Sequence, residues 1–382
     1  MEMKLRKLWP LVGALCLGLM TSAFAHNNYQ SGTSSNIDSG LQQETYQRGT
    51  FRQITPPAGA RVAHGADVFF TGDFLWWQAS EGPLPFAING LNDAKILDDS
   101  DAQVFSSPVK GKVHSIEGVW APGFKVGLGL NSGHDGWDIS GQYTWLHAND
   151  SKSHKEASSR IFSGSKNNFP DTKNASYDTL QNSSKWNLHF NAIDFDLGRN
   201  FYLSQFLTSK FFIGLKGTWQ KHTWDVTSSF TNLKIQTDAD KPTQVALTGP
   251  LTDHKHYDVW GVGIRNGLNS AWHLTKSFSF YGDIALSGLW TNCYKQIQFS
   301  KLEDKNKKKH RTLVDISNPS FYNWKSVLEL GLGIQWDTWF SEDAYHLGLK
   351  LGWEQQTWFN FSRLKNRDLS LGGGIFKFVL NF

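Results

Sequence analysis

Cysteine is almost missing from these 382 residues. Of the two present, Cys16 falls in an N-terminal stretch with the features of an export signal, which leaves Cys293 alone. A secreted domain stapled by disulfides is thereby excluded. Charge is sparse too: 19% of residues are Asp, Glu, Lys or Arg, and the net charge is +4. With a mean hydropathy of −0.42, these averages look soluble, and no nucleic-acid partner is called for. Long hydrophobic runs are also lacking. Beyond the N-terminal stretch none reaches the 18 or more residues of a spanning helix. What abounds is Gly (35), Trp (17) and Phe (27), the composition of an exposed-surface β-protein. A transmembrane β-barrel hides in such averages, because each strand shows lipid only every second residue.

Met1 to Ala25 reads as an export signal. Lys4, Arg6 and Lys7 form a basic region, Leu8 to Met20 an apolar one, and Ala23-Phe24-Ala25 a cleavage site. Leu15 precedes Cys16 where a lipoprotein signal wants a small residue, so lipidation is not read there. Residues 26–66 are rich in Ser, Gly, Asn, Gln and Thr without an apolar period. They read as a disordered periplasmic segment, with wall binding or partner docking as the functional alternative. Residues 67–382 are then the barrel.

The last stretch, Asp368–Phe382, sets the pattern. Phe376, Phe378, Leu380 and Phe382 alternate with polar positions such as Lys377 and Asn381, a strand with one greasy face. An alternating run closing on Phe resembles the terminal signature of outer-membrane barrels, which the barrel-assembly machinery would engage through Phe382. The other reading is an ordinary last strand of a β-sandwich. The same alternation recurs from Asp67–Gln78, with Phe70, Phe74 and Trp76 on one face, through Phe124–Leu130, Trp137–Trp145, Ile193–Leu197 and Phe211–Gln220. It continues in Trp260–Arg265, Phe278–Ser287, Leu328–Asp337 and Tyr345–Glu354. With the terminal strand, ten are clear. Upstream of Ile193 the phase shifts, with Asn187, His189 and Asn191 polar, and a bulge is expected there.

Connectors alternate short and long. Asn131–Asp135, Asn200–Ser209, His273–Lys276 and Trp339–Asp343 are brief; Ser80–Ser115, Asn149–Ser184, Thr223–His256, Gln298–Asn323 and Phe359–Arg367 are longer. Short periplasmic turns and long extracellular loops are expected of an outer-membrane barrel, and a sandwich has no need of that asymmetry. The fold expected is therefore all-β, an antiparallel transmembrane β-barrel of about 10–12 strands, with 16 the upper limit. Trp76, Trp145, Trp219, Trp290, Trp336, Tyr345, Trp353 and Trp358 fall near strand ends, as aromatic girdles do; core packing is the other explanation.

The opposite faces carry Asp73, Lys125, Asp138, Asp194, Asp196, Lys216 and Arg265, then Asp283, Lys325, Glu329, Asp337, Lys350, Glu354 and Lys377. Such charges are costly in hydrocarbon, so a lumen is their home. They either line a pore for small hydrophilic solutes or pair across a narrow barrel and plug it. About eight strands fill their own interior and 16–18 leave a channel. Ten sits between, so conductance would need extra strands within the long loops (Trp224–Gln236 and Lys295–Phe299 alternate weakly) or a homo-oligomer.

Enzymatic signals are thin. His254 and His256, beside Asp253 and Asp258, are read as solvated loop residues over a metal cluster. No spacing singles out a nucleophile and its base, although a buried, hydrogen-bonded His–carboxylate pair at the barrel mouth would favour a hydrolase. Gly372-Gly373-Gly374 precedes no helix and eases barrel curvature instead of holding phosphate. No cofactor or metal is expected. Lys305, Lys307, Lys308, Lys309 and Arg311 form a basic run that either grips lipopolysaccharide phosphates or host sulfated sugars, or is a solvated loop tip. Cys293 is a candidate for an intermolecular disulfide.

Phe74-Leu75-Trp76-Trp77-Gln78-Ala79 followed by Glu81-Gly82 resembles the first-strand motif of the major outer membrane protein family found in Legionella and Chlamydia-like bacteria. Trp186–Tyr202, Phe211–Trp219, Gly261–Trp272, Leu347–Trp358 and Asp368–Phe382 are similar to further blocks of that family. The resemblance implies an exported barrel, abundant in the outer membrane among lipid and lipopolysaccharide, with porin activity and antigenic loops. It brings no catalytic residues. Members can be cross-linked through cysteine, and the single Cys293 does not suit an extensive disulfide lattice. The expectation is an outer-membrane porin; the alternative is a plugged structural barrel or an adhesin whose long loops bind polyanions.

Overall fold

The computed structural model describes residues 60, 62, 67–91, 110–132, 136–155, 162–163, 176–236, 244–304, 309–362, 364 and 367–382. The chain divides into two compact units, Met1–Arg52 and Gln53–Phe382, the first wholly outside the described residues. The signal stretch and most of residues 26–66 likewise lie outside them.

Strands run β1 (Val68–Ser80), β2 (Leu84–Leu91), β3 (Lys110–Ile116), β4 (Val119–Asn131) and β5 (Trp137–Lys155). Then come β6 (Phe162–Ser163), β7 (Ser176–Tyr202), β8 (Leu207–Gln236), β9 (Gln244–His273) and β10 (Phe278–Asp304). The last are β11 (Lys309–Asn318), β12 (Phe321–Phe340), β13 (Tyr345–Ser362) and β14 (Arg367–Asn381). Ten of them, in the order β1-β4-β5-β7-β8-β9-β10-β12-β13-β14, pair antiparallel and return to β1. The sheet is a closed transmembrane barrel. Its seam is knitted at the bottom by two bonds: Val68 N–H donates to Phe382 O at 3.1 Å, and Phe382 N–H to Val68 O at 3.0 Å. Closure removes the open edges that every flat sheet exposes.

The eleventh strand of the sheet, β11, is a continuation and not an addition to the wall. Asn318 pairs with Gln296 and Phe321 with Cys293, so β11 and β12 keep one register along β10. Pro319 lies between them, where a residue without an N–H interrupts the ladder. The expected loop alternation of Trp224–Gln236 and Lys295–Phe299 has the same explanation: both belong to β8 and β10, prolonged past the membrane. The long segments Thr223–His256 and Gln298–Asn323 are thus mostly strand. β8 and β9 each have 30 residues, whereas about 9–11 cross a bilayer. A small second sheet of β2, β3 and β6 is built from residues between the first barrel strands.

The turns at the other end are brief, and that of β12–β13 is held by Ser341, Glu342 and Asp343, all left-handed (φ 59°, 57° and 62°). Outward positions between the two ends are apolar and exposed, among them Leu128, Ile139, Phe195, Leu215, Ile264 and Leu332. Exposure of this kind on every strand is the lipid face of a barrel. Trp76, Trp219, Trp290 and Trp353 border it on the extracellular side, and Tyr345 on the periplasmic side.

Two expectations are corrected. β7 has no register shift between Gln181 and Tyr202. Asn187, His189 and Asn191 stay on the outward face, and Trp186, Leu188, Phe190 and Ala192 point in and are buried. The phase change comes from the surroundings: above the membrane the outside is water and the inside is dry. Trp358 is not a girdle residue either. It is fully buried inside, edge-on to Phe190 (5.3 Å) and Phe361 (5.1 Å).

Candidate functional site

The barrel interior has two storeys, and each strand contributes to both. Along β1 the inward residues are Asp73, then Leu75, Trp77 and Ala79; along β7 they are Asp196 and Asp194, then Ala192, Phe190, Leu188 and Trp186. Strand alternation fixes the facing, and distance from the membrane centre decides the polarity.

The lower storey is a charge network. Lys125 Nζ reaches both oxygens of Glu354, at 2.6 and 2.7 Å. Lys216 bridges Asp194 at 2.7 Å and Glu329 at 3.2 Å. Arg265 grips Glu329 with two nitrogens, at 3.2 and 3.1 Å, and also bonds Asp196. Lys377 stands 3.6 Å from Asp73, and Lys350 lies 4.9 Å above the Tyr281 ring. Lower still, Asp138 receives Lys210 at 2.5 Å and Asn200 at 2.8 Å, and Asp337 receives His346 at 3.0 Å. Lys325 is the exception in height: it lies toward the extracellular end of β12, beyond Val327 of the upper storey, and donates to the Asn360 carbonyl.

All fourteen charged residues read from the sequence therefore occupy inward positions, most of them tied to a partner from another strand. A cavity of about 190 Å3 remains among them, bordered by Asp73, Lys125, Arg265, Asp283, Lys350 and Glu354. Three buried oxygens on its lining, Asp73 Oδ1, Asp196 Oδ1 and Asp283 Oδ1, receive no protein hydrogen bond. Buried acceptors without a protein donor call for water.

The upper storey is a dry plug. Leu75, Trp77, Leu146, Trp186, Leu188, Phe190, Trp224, Trp358, Leu369 and Leu371 belong to one buried cluster, into which Leu84, Phe86 and Ile116 of the first extracellular segment insert. The storeys meet through cation–π contacts: Lys125 Nζ is 5.1 Å from the Trp77 ring and Lys216 Nζ is 5.7 Å from that of Trp358. Trp faces thus roof the ammonium groups.

One carboxylate sits inside this plug. Glu81 follows β1, and Gly82 at φ 74° turns the chain back toward the mouth. Glu81 accepts from His222 Nδ1 at 2.5 Å, Trp186 Nε1 at 3.2 Å, Tyr257 at 3.4 Å and Ser362. Both Glu81 and His222 side chains are 0% exposed. Burial pushes the Glu81 carboxyl up, but the His222 charge and the bonds from His222, Ser362 and Trp186 outweigh it and hold it below the usual range.

This is the buried His–carboxylate pair that would favour a hydrolase, and its geometry does not serve one. The Ser362 hydroxyl bonds Glu81 and not the imidazole. His222 Nε2 faces Gln220 Oε1 at 3.1 Å, so neither ring nitrogen is open to a nucleophile. The four residues form a clamp: Glu81 from the first segment, His222 from β8, Tyr257 from β9 and Ser362 from β13.

Other candidates move apart. Cys293 is 4% exposed, on the inward face of β10. A disulfide to a second chain is incompatible with that position, because alternation turns the thiol away from every outer surface. Lys305, Lys307 and Lys308 lie outside the described residues; Lys309 and Arg311 open β11, their side chains undescribed. His254 bonds Asp225 and His256 lies 3.2 Å from Asp258. Among the described residues no group of three or more His, Cys, Asp or Glu is arranged to hold a metal.

Lys210 and the Glu81 clamp escaped the sequence reading. The signal for the plug was present in Leu75-Trp76-Trp77: two adjacent Trp make both faces of a strand greasy, which a water-filled mouth would not tolerate.

A family model described as the Legionella pneumophila major outer membrane protein precursor matches residues 65–373. No curated protein matches the chain. Among solved structures it is similar to the outer membrane protease OmpT of Escherichia coli, at 7% identity and TM-score 0.30, over 82% of this chain and 96% of that one. A Pseudomonas aeruginosa FadL homologue gives 6% identity and TM-score 0.22, over 82% and 89%. A TodX mutant, titled a monoaromatic hydrocarbon channel, gives 9% and 0.22, over 84% and 90%.

Proposed function

Since the chain belongs to the Legionella pneumophila major outer membrane protein family, an outer-membrane β-barrel, we propose that it is a gated porin. Its charged lower storey would pass small hydrophilic solutes and ions when the plug is displaced, after export and removal of residues 1–25. The observation that carries this reading is the set of unbonded acid oxygens around the 190 Å3 cavity. A barrel that needed only to be filled gains nothing from buried charge, since well-packed apolar residues of similar volume serve as well or better. A hydrated, two-signed lining suits transit.

The plug favours a second reading, a permanently closed structural barrel that presents its tall rim as an adhesive or antigenic surface. Planar-bilayer recording separates the two. For the gated porin, wild-type protein shows rare openings, and Glu81→Gln, which weakens the clamp, makes them frequent. If both proteins stay silent while correctly folded, the structural reading replaces the porin. Neither reading asks the clamp for catalysis, since Ser362 bonds Glu81 and not the imidazole.

A further inference from the structure

One step above the extracellular aromatic rung, the outward wall differs from one side of the barrel to the other. On β5, β7, β8 and β9 the rung Trp145–Asn191–Trp219–Trp260 is followed by His147, His189, Lys221 and Asp258, each the register partner of the next. On β13, β14, β1 and β4 the rung Trp353–Gly374–Trp76–Pro122 is followed by Gln355, Gly372, Gln78 and Trp120, without a charge. Cationic and imidazole groups therefore gather over one half of the girdle.

There the His147 and His189 rings stack, centroids 3.9 Å apart and 23° between planes, with Trp145 edge-on to His147 at 6.4 Å. Lys221 and Lys185 are exposed on the same face. Asp258, at the end of the rung, is engaged by His256. Neighbouring strands lie about 4.8 Å apart, so His147, His189 and Lys221 fall within about 10 Å of one another. Tryptophan rings settle at headgroup depth, which puts this trio where lipid phosphates are. Each imidazole offers an N–H donor beside the ammonium, and a phosphate offers three acceptor oxygens and the opposite charge.

We propose that His147, His189 and Lys221 bind the phosphate of an outer-leaflet glycolipid, so that the barrel carries a lipid on the β5–β8 side. The inference does not depend on whether the lumen conducts.

Native mass spectrometry of the full-length protein in detergent tests it, with a bisphosphorylated glycolipid and its dephosphorylated counterpart as probes. Wild type should prefer the phosphorylated lipid by about tenfold, and Lys221→Ala should lose about fivefold, the worth of one cation at a charged membrane surface. The triple variant His147→Ala, His189→Ala, Lys221→Ala should show no preference. Gln78→Ala with Gln355→Ala on the opposite wall should bind as wild type does. Equal retention of both lipids by wild type, or an undiminished preference in the triple variant, overturns the proposal. So does inorganic phosphate binding as tightly as the lipid. Zinc bound through the two histidines, with lipid preference unchanged by their loss, would make the pair a metal site instead. The substituted side chains face outward, and heat-modifiable migration verifies that each variant is folded.

Discussion

At the scale of the residue, Glu81 is a fully buried carboxylate held by four donors. A fully buried carboxylate without its partner is an uncompensated charge, and removing one member of such a pair costs about 3–5 kcal/mol. His222→Ala is therefore expected to lower resistance to denaturant by about that amount, read as the loss of heat-modifiable migration across a urea series. Glu81→Gln keeps the shape and should cost less. The pH dependence follows from a carboxyl held low in the folded state. Its contribution is complete above the unfolded glutamate pKa of about 4.3 and is lost as pH falls through the lower folded value. Wild type should thus lose stability on acidification below about pH 4. Glu81→Gln should lack that component of the loss, and unchanged acid sensitivity in the variant would contradict the assignment.

At the scale of the element, β7 shows how an alternating strand keeps its facing while the medium around it changes. Cysteine at His189 is expected to react with a membrane-impermeant maleimide on intact cells, and cysteine at Leu188 is not. Reaction at both positions would restore the bulge. The first extracellular segment gives a second test: replacing residues 82–118 with a short Gly-Ser link removes Leu84, Phe86 and Ile116 from the plug. Bilayer conductance should rise severalfold if those side chains close the mouth.

Strand periodicity made the ten wall strands and fourteen of the inward charges legible in the sequence, because lipid demands strict alternation wherever it touches the sheet; Lys210, at the start of β8, was not among them. Above the membrane that demand lapses. There water outside and packing inside reverse the apolar face, so Asn187–Asn191 looked like a slip, Trp358 like a girdle residue, and β8 and β9 like loops. Glu81 was visible only as part of a motif; its four donors come from residues as far away as Ser362.

At the scale of the whole molecule, the tall rim and the paired interior predict a barrel that resists detergent. Unheated protein in dodecyl sulfate should migrate differently from boiled protein, and a single band under both conditions would refute a closed sheet. The seam adds a constraint of timing. β1 finds its partner in β14, roughly three hundred residues later in the chain, so the first wall strand must wait, unpaired on one side, until the last has been threaded across the envelope. During that interval the half-built sheet is a ribbon with two raw edges, ready to zip onto any neighbour. An escort that covered both margins would carry the chain through that interval, so the cost of making this barrel would include the escort as well as the chain.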